Sequence, residues 1–514
     1  MVRFVSLIAA LALTLSACTA TPPSAPDLLE ANTAQLQKQM TAGTLTAEQL
    51  VQYYLTRIQR LDDQGPQLNA VISVDPSALA QAKALDKERQ AGKIRGPLHG
   101  IPVLLKDNID SFGVANTGGS VLFQDNLPAD DAFLVKKLRE AGAIILGKAN
   151  LSEWANFRST RSSSGWSAMG GQTRNPYDPS VSTCGSSSGS GAAVAANLTA
   201  LAVGTETDGS LVCPGAINGI VSIKPTLGLV SRDGIIPIAH SQDTAGPMTR
   251  TLSDAVLLLQ VMAGEDTSDA ASYTDSRDFT QHLIKDGLRG KRIGVVRSLM
   301  GYHPLLDSVF EQQLEVLRAQ GATLVDTELD EQWGDDEFTI LLHEFKADMA
   351  AYLATTKLPY RSLNDLLEAN LQHQEQELAI FGQEIFAMAV ARTDEQQAEY
   401  LEALARAKRL AGAEGIDALL AKDKLDLLIA PTVGPAWKTD HINGDHYLGA
   451  ASSAAAVAGN PHITIPMGFV EVPGSPALPV GMSFFGAAKS EPVLIEAAFG
   501  YEQSSQKRRP PPLN

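Results

Sequence analysis

Residues Pro179 to Pro214 read PSVSTCGSSSGSGAAVAANLTALAVGTETDGSLVCP: two Gly/Ser-rich loops on either side of a mostly apolar run, Ala192 to Val203, that is long enough for a helix. The first loop carries Ser186, Ser187, Ser188 and Ser190 among Gly185, Gly189 and Gly191, and the second carries Ser210 behind Gly209. Glycine lets a backbone turn tightly and bring its N–H groups close to a bound atom. Serine supplies a hydroxyl that acts as nucleophile or proton carrier. Two such loops flanking one buried segment point to a hydrolytic site.

Working outward, the flanks alternate strand-like and helix-like segments. Upstream, Thr46 followed by Gln49 forms a capping-box pattern ahead of Leu50, Tyr53, Tyr54, Ile58 and Leu61 at helical spacing. A helix is also expected over Leu28 to Met40, a strand over Leu68 to Val74 and a helix over Pro76 to Ala91. Ile101 to Leu105 is an apolar, strand-like run closed by Lys106, and Ala143 to Lys148 is a second such strand. Leu151 to Trp154 reads as the opening of a helix. Downstream, Lys291 to Val296, Leu425 to Pro431, Ile463 to Met467 and Val480 to Phe485 read as strands, while 360–422 is mostly helical and polar, an outer or substrate-covering layer. The alternation predicts an α/β fold, a single large domain with a central mixed β-sheet sandwiched between helices.

Hydrophobic residues at 44% and charged residues at 19% describe a globular chain with a large core, and a net charge of -17 argues against nucleic acid as a partner. The basic residues Lys507, Arg508 and Arg509 belong to a tail, 506–514, read as a solvated end. At the other end, Arg3, an apolar run from Phe4 to Leu15 and the tetrapeptide Leu15-Ser16-Ala17-Cys18 form a lipoprotein-type signal peptide, 1–17. Cys18 is then the expected lipidation site and 18–27 a Thr/Pro/Ser/Ala-rich tether to a folded unit at 28–505. The implied location is exported, periplasmic or cell-envelope, with the membrane reached only through the lipid. An ordinary signal peptide with an incidental Cys18 is the competing reading. Cys184 and Cys213, the other two cysteines, are read as free buried thiols, with a disulfide open to an exported protein. There is no CxxC and no His/Cys cluster, so neither a metal nor another cofactor is expected.

Three chemistries compete for the serines. Gly185-Ser186-Ser187-Ser188-Gly189 matches G-x-S-x-G with Ser187 at its centre, but a turn-like segment precedes it, where that motif needs a strand, and only a late histidine such as His462 would complete the set. A flexible linker or phosphate cradle is the second reading; the Gly-Lys-Ser/Thr of a P-loop is absent. In the third, Lys106 is not a structural lysine reaching for water but a desolvated base for a serine.

Three segments taken together resemble the amidase signature family: GIPVLLKDN at Gly100 to Asn108, CGSSSGSGAAVAA at Cys184 to Ala196, and GTETDGSLVCPGAINGIVSIKPT at Gly204 to Thr226. The resemblance covers about Leu45 to Phe485 and looks closest to bacterial peptide amidases, which remove the C-terminal amide of peptides. It implies the amidase-signature fold and a Ser-Ser-Lys relay in which Ser210 is the nucleophile, Ser186 the bridging serine with a cis peptide bond, and Lys106 the base. The backbone of Thr207, Asp208, Gly209 and Ser210 would hold the oxyanion. Implied substrates are small-molecule or peptide amides. Two positions depart from the family pattern: Asp208 replaces a common glycine, and Val212 stands where glutamine-processing members, such as the A-type component of glutamyl-tRNA amidotransferase, carry arginine. Val212 and Cys213 are expected to offer an apolar surface instead, which disfavours the amidotransferase A-type reading. The alternative from another class is a non-catalytic surface lipoprotein using the same fold as a binding module.

Overall fold

The computed structural model describes residues 28–513, so Cys18 and the signal peptide and tether expected over 1–27 lie outside the described residues. Among the described residues no helix is long and apolar enough to cross a membrane. Eleven strands share one sheet: β1 (Val71–Val74), β2 (Pro102–Lys106), β3 (Ile144–Ala149), β4 (Leu201–Glu206), β5 (Val221–Lys224), β6 (Thr244–Thr249), β7 (Arg292–Val296), β8 (Thr323–Thr327), β9 (Leu427–Pro431), β10 (His462–Val470) and β11 (Leu478–Phe485). Their spatial order is β1-β3-β2-β4-β6-β5-β10-β11-β9-β7-β8. The β3-β2-β4 and β9-β7-β8 groups are parallel and the remaining pairs antiparallel. Every residue of β2, β3, β4, β9 and β11 is buried. That is why these strands read as continuous apolar runs rather than alternating ones: helices cover both faces. The expected mixed α/β sandwich is the observed fold.

Four helices matter to the site: α1 (Ala47–Arg57), α2 (Ser188–Ala195), α3 (Val212–Ile217) and α4 (Gly334–Thr355). The Thr46/Gln49 box caps α1 as expected, with Gln49 N donating to Thr46 Oγ1 at 3.1 Å and Thr46 N to Gln49 Oε1 at 2.9 Å. The run Ala192–Val203 is not one helix: α2 ends at Ala195, Asn197 turns left-handed at φ 56°, and the chain re-enters the sheet as β4. Both pieces are wholly buried, and a short buried helix and a buried strand look alike in an apolar run. A second expectation also changes. Leu151 to Trp154 leads only into a short 3₁₀ turn, Glu153–Asn156, in which Trp154 and Ala155 are left-handed at φ 50° and 53°.

Helix α2 is held at both ends. Gly189 permits its approach to β3, since a Cβ there would fall 2.3 Å from Ala70 O and 2.6 Å from Asn150 N. At its C-terminus Arg57 donates to Ala196 O and Asn197 O at 2.8 Å, Arg250 to Thr199 O at 2.8 Å, and Arg508 to Ala195 O at 3.3 Å. Guanidinium groups there satisfy the free carbonyls and complement the negative end of the helix dipole. Arg508 corrects the reading of 506–514 as a solvated end. It also pairs with Glu30 at 2.8 Å and donates to Gly219 O at 2.8 Å, while Arg509 lies over the Phe469 ring and Leu513 packs on the core. Basic residues read as solvent-seeking are here drawn to carbonyls and a carboxylate.

Helix α4 and the first part of the polar helical region, up to Ala389, form a second apolar cluster, in which Phe345, Tyr352 and Phe386 pack with Trp154 and Phe157. Buried Arg158 ties the layers, 2.6 Å from Glu153 and 3.4 Å from Glu377.

Candidate active site

Lys106 is the last residue of β2, and its neighbour β4 ends at Glu206, so the carboxyl ends of two parallel strands bring Lys106 beside Thr205 and the loop that follows. Lys106 Nζ lies 2.7 Å from Ser186 Oγ, 2.8 Å from Thr205 Oγ1 and 3.3 Å from Thr205 O. Asn108 Nδ2 donates to the same Thr205 hydroxyl at 3.0 Å. The amine is completely enclosed, and loss of water pulls its pKa down to about 7, with the Asp243 and Glu206 carboxylates pulling the other way. A lysine in this setting is half neutral at neutral pH and can accept a proton.

The other hydroxyls of the first loop are engaged elsewhere. Ser187 Oγ donates to Thr205 O at 3.0 Å and accepts from Thr205 N at 3.2 Å; Ser188 Oγ donates to Cys184 O at 2.7 Å, and Ser190 Oγ to Val203 O at 3.2 Å. Ser187, the centre of G-x-S-x-G, is therefore a structural link between α2 and β4. His462, the histidine that motif would need, is buried on β10 against Ser483 at 2.5 Å, with burial pushing its pKa down to about 3. Ser186 follows a cis Gly185–Ser186 peptide bond, the conformation that the resemblance implied.

Ser210 differs from Ser186, which borders only a void of about 10 Å³, in reaching a sizeable cavity. A space of about 270 Å³ is lined by Thr207 to Ser210, the Cys184–Cys213 pair, Phe157, Ile238 and, from the far end of the chain, Trp437, Asp445 and Tyr447. Gly209 is left-handed at φ 77°, and among the described residues neither the Gly209 nor the Ser210 N–H has an acceptor. The loop is braced from behind. Thr207 Oγ1 donates to Asp243 at 2.6 Å, and Asp243 also accepts from Ile238 N and Ala239 N; Glu206 accepts from Leu211 N and Val212 N at 2.8 and 3.1 Å. Ser187 N donates to Ser210 O at 3.2 Å, joining the two loops.

Two expectations are corrected, and one open position is placed. Cys184 and Cys213 are not free thiols but a disulfide with Cα atoms 6.0 Å apart, because α2 and α3 pack together and hold the two loops side by side. Val212 does not face the cavity; it is fully buried at the start of α3, and only the disulfide presents an apolar surface there. Asp208, whose role the sequence left open, lines the cavity with Oδ1 unpartnered. Beside it, the Glu337 carboxyl of α4 is pushed up to about 8 by burial and by the Asp208 charge.

Sequence reasoning missed Thr205, Asp243, Gln242 and Glu337. Thr205 stands inside the quoted stretch and Asp243 in a loop downstream of it, yet neither carries a mark until Lys106 and Thr207 are seen against them. Gln242 Nε2 reaches Thr207 O at 3.3 Å and Glu337 at 2.9 Å, a bridge between segments 95 residues apart with no sequence signature.

The fold and the site are those of a hydrolase acting on amide bonds. The chain belongs to the amidase family, whose family model (Amidase) matches residues 49–495. It is 53% identical to the peptide amidase PAM, solved in complex with the competitive inhibitor chymostatin, with a TM-score of 0.90 over 94% of this chain and 99% of that one. A probable amidase of Arabidopsis thaliana is 42% identical over 91% of this chain and 88% of its own length. A putative amidase of Schizosaccharomyces pombe is 34% identical over 94% of this chain and 87% of its own length.

Proposed function

We propose that the protein removes the terminal amide of peptides through a Ser210 acyl-enzyme, with Ser186 and Lys106 as the proton relay. The observation that carries this reading is the enclosed Lys106 amine, 2.7 Å from Ser186 Oγ, behind a serine loop that opens on a peptide-sized cavity. Neutral Lys106 takes the Ser186 proton as Ser186 takes that of Ser210, and Ser210 Oγ attacks the amide carbonyl. The N–H groups of the 207–210 loop receive the oxyanion, each such donor lowering the barrier by roughly 2.7–4 kcal/mol in comparable sites. The relay then runs backwards to protonate the amide nitrogen as its C–N bond breaks, releasing ammonia, and water hydrolyses the ester by the same route. Ammonia release from N-acetylated peptide amides tests the reading; release from simple aliphatic amides but from no peptide amide would sink it. A fluorophosphonate probe that labels the wild type and not Ser210→Ala separates the enzyme from a binding module on the same fold.

The relay requires the unprotonated amine, so the sign of the pH dependence follows. Below a pKa of about 7 Lys106 carries a proton and cannot accept another. The value of kcat/KM is expected to rise through an apparent pKa near 7 and to fall about tenfold per unit on the acid side. A flat profile between pH 5 and 7, at about constant stability, contradicts Lys106 as the base.

Export and lipid anchoring at Cys18 remain part of the proposal. The Leu15–Cys18 tetrapeptide supports them, as does the Cys184–Cys213 bond, which persists in oxidising compartments. Palmitate incorporation lost in Cys18→Ala is the expected result, and an unlabelled, soluble wild type the contrary one.

A further inference from the structure

Asp208 and Asp445 are the only ionisable acid or base side chains, tyrosine aside, among the described residues that line the cavity. The rest of the wall is neutral: the aromatic and aliphatic side chains of Phe157, Ile238, Leu341 and Trp437, the disulfide and small polar groups. Asp445 is fixed by Ser164 N, which donates to it at 3.0 Å. Asp208 sits two residues before the nucleophile, with one carboxylate oxygen buried and unpartnered. Glu337 behind it takes up the proton of the pair, because two adjacent carboxylates in a dry setting do not both ionise. Burial pushes the Asp208 carboxyl up as well, with buried Lys224 pulling the other way, so the pair keeps one negative charge, which we place on Asp208; among the described residues no lysine, arginine or histidine on the cavity wall offsets it.

We infer that this cavity rejects anions: it takes peptide amides whose C-terminal residue is neutral or cationic, discriminates against Asp and Glu amides, and uses the same Asp208 charge to release its product. The inference rests on the peptide-amide reading above. Hydrolysis of the acyl-enzyme turns a neutral ester carbonyl into a carboxylate at Ser210, beside Asp208. The substrate is neutral and is held by the apolar wall, and the charge of the tetrahedral intermediate is met by the oxyanion donors, whereas the free acid carries a full lasting charge beside Asp208. The oxygen balance is simple: water supplies the second carboxylate oxygen, its protons pass to Ser210 and into solvent, and the peptide acid leaves as an anion.

The test compares N-acetyl dipeptide amides ending in Gln, Glu, Lys and Leu at one pH, together with inhibition by the corresponding peptide acids. The Glu amide is expected to have a kcat/KM at least about tenfold below that of the isosteric Gln amide. In Asp208→Asn/Asp445→Asn the Glu/Gln ratio should close to within about threefold, and the Leu peptide acid, a poor inhibitor of the wild type, should inhibit at least about tenfold better. Because a ratio is read, a general loss of activity in the variant does not mask the result. Equal rates for Glu and Gln amides in the wild type overturn the inference and leave the peptide-amide reading standing. Ammonia release from none of the four amides overturns that reading, and the inference with it. A Glu/Gln ratio that survives both substitutions removes the assignment to Asp208 and Asp445.

Discussion

Ser210→Ala is expected to lower ammonia release from a peptide amide by at least about 10⁴-fold, and Lys106→Ala by a similar factor. The reasons differ. Without Ser210 the hydroxyl that follows Gly209 on the cavity wall is gone; Ser186 is wholly enclosed and its hydroxyl is turned to Lys106 Nζ at 2.7 Å. Without Lys106 Ser210 remains, but the proton of Ser186 has nowhere to go, since among the described residues Lys106 Nζ is the one hydrogen-bond partner of Ser186 Oγ. Groups acting as one relay are not additive, so the double variant should be no slower than either single variant within about threefold. Steady-state ammonia assays on both, with thermal melts to confirm folding, supply the check. A folded Ser210→Ala protein that keeps more than about one hundredth of the rate contradicts the assignment.

The second large effect is expected from the disulfide. Cys184 and Cys213 close a loop with a sequence separation of 29, and that loop contains both Ser186 and Ser210. Chain-entropy reasoning puts the stabilisation from closing a loop of that length at about 3–4 kcal/mol, so Cys184→Ser/Cys213→Ser should melt about 3 °C lower. The consequence for activity follows from position: the bond ties the loop of Ser186 to that of Ser210 and forms part of the cavity wall. Misplacing reacting groups by even an ångström costs on the order of 10²-fold, and a fall in kcat of about tenfold to a hundredfold is expected on reduction or mutation. Reoxidation should restore the wild-type rate but leave the double variant unchanged. Unaltered kcat in fully reduced, folded protein would show that α2 and α3 position the serines unaided.

Much of the site was legible because it is written in short, locally constrained motifs. An apolar strand ended by a lysine, a loop of glycines and serines, and a left-handed glycine before a serine each have a physical reading confined to a few residues, and the resemblance joined them. The periods of the buried strands were legible too, since burial on both faces leaves an uninterrupted apolar run. Ambiguity arose where two structures satisfy the same run, as between Ala192 and Val203, with the boundary set by Asn197 and by arginines from distant segments.

The chain alone therefore carried the mixed α/β architecture and the candidate residues, a lysine closing an apolar strand and two serine-bearing loops, from which the resemblance picked out Lys106, Ser186 and Ser210. Which hydroxyl meets the lysine is another matter. Ser186 and Ser187 are adjacent and chemically identical, and only the parallel placement of β2 beside β4 turns one to Lys106, 80 residues away, and the other to the backbone of Thr205. The same holds for the bond between the two cysteines, the docked tail, and the cavity wall built from Phe157, Leu341 and Trp437. These depend on strand order and helix packing across the whole chain. Such contacts pair residues by distance in space, and the chemistry of either partner does not announce the other.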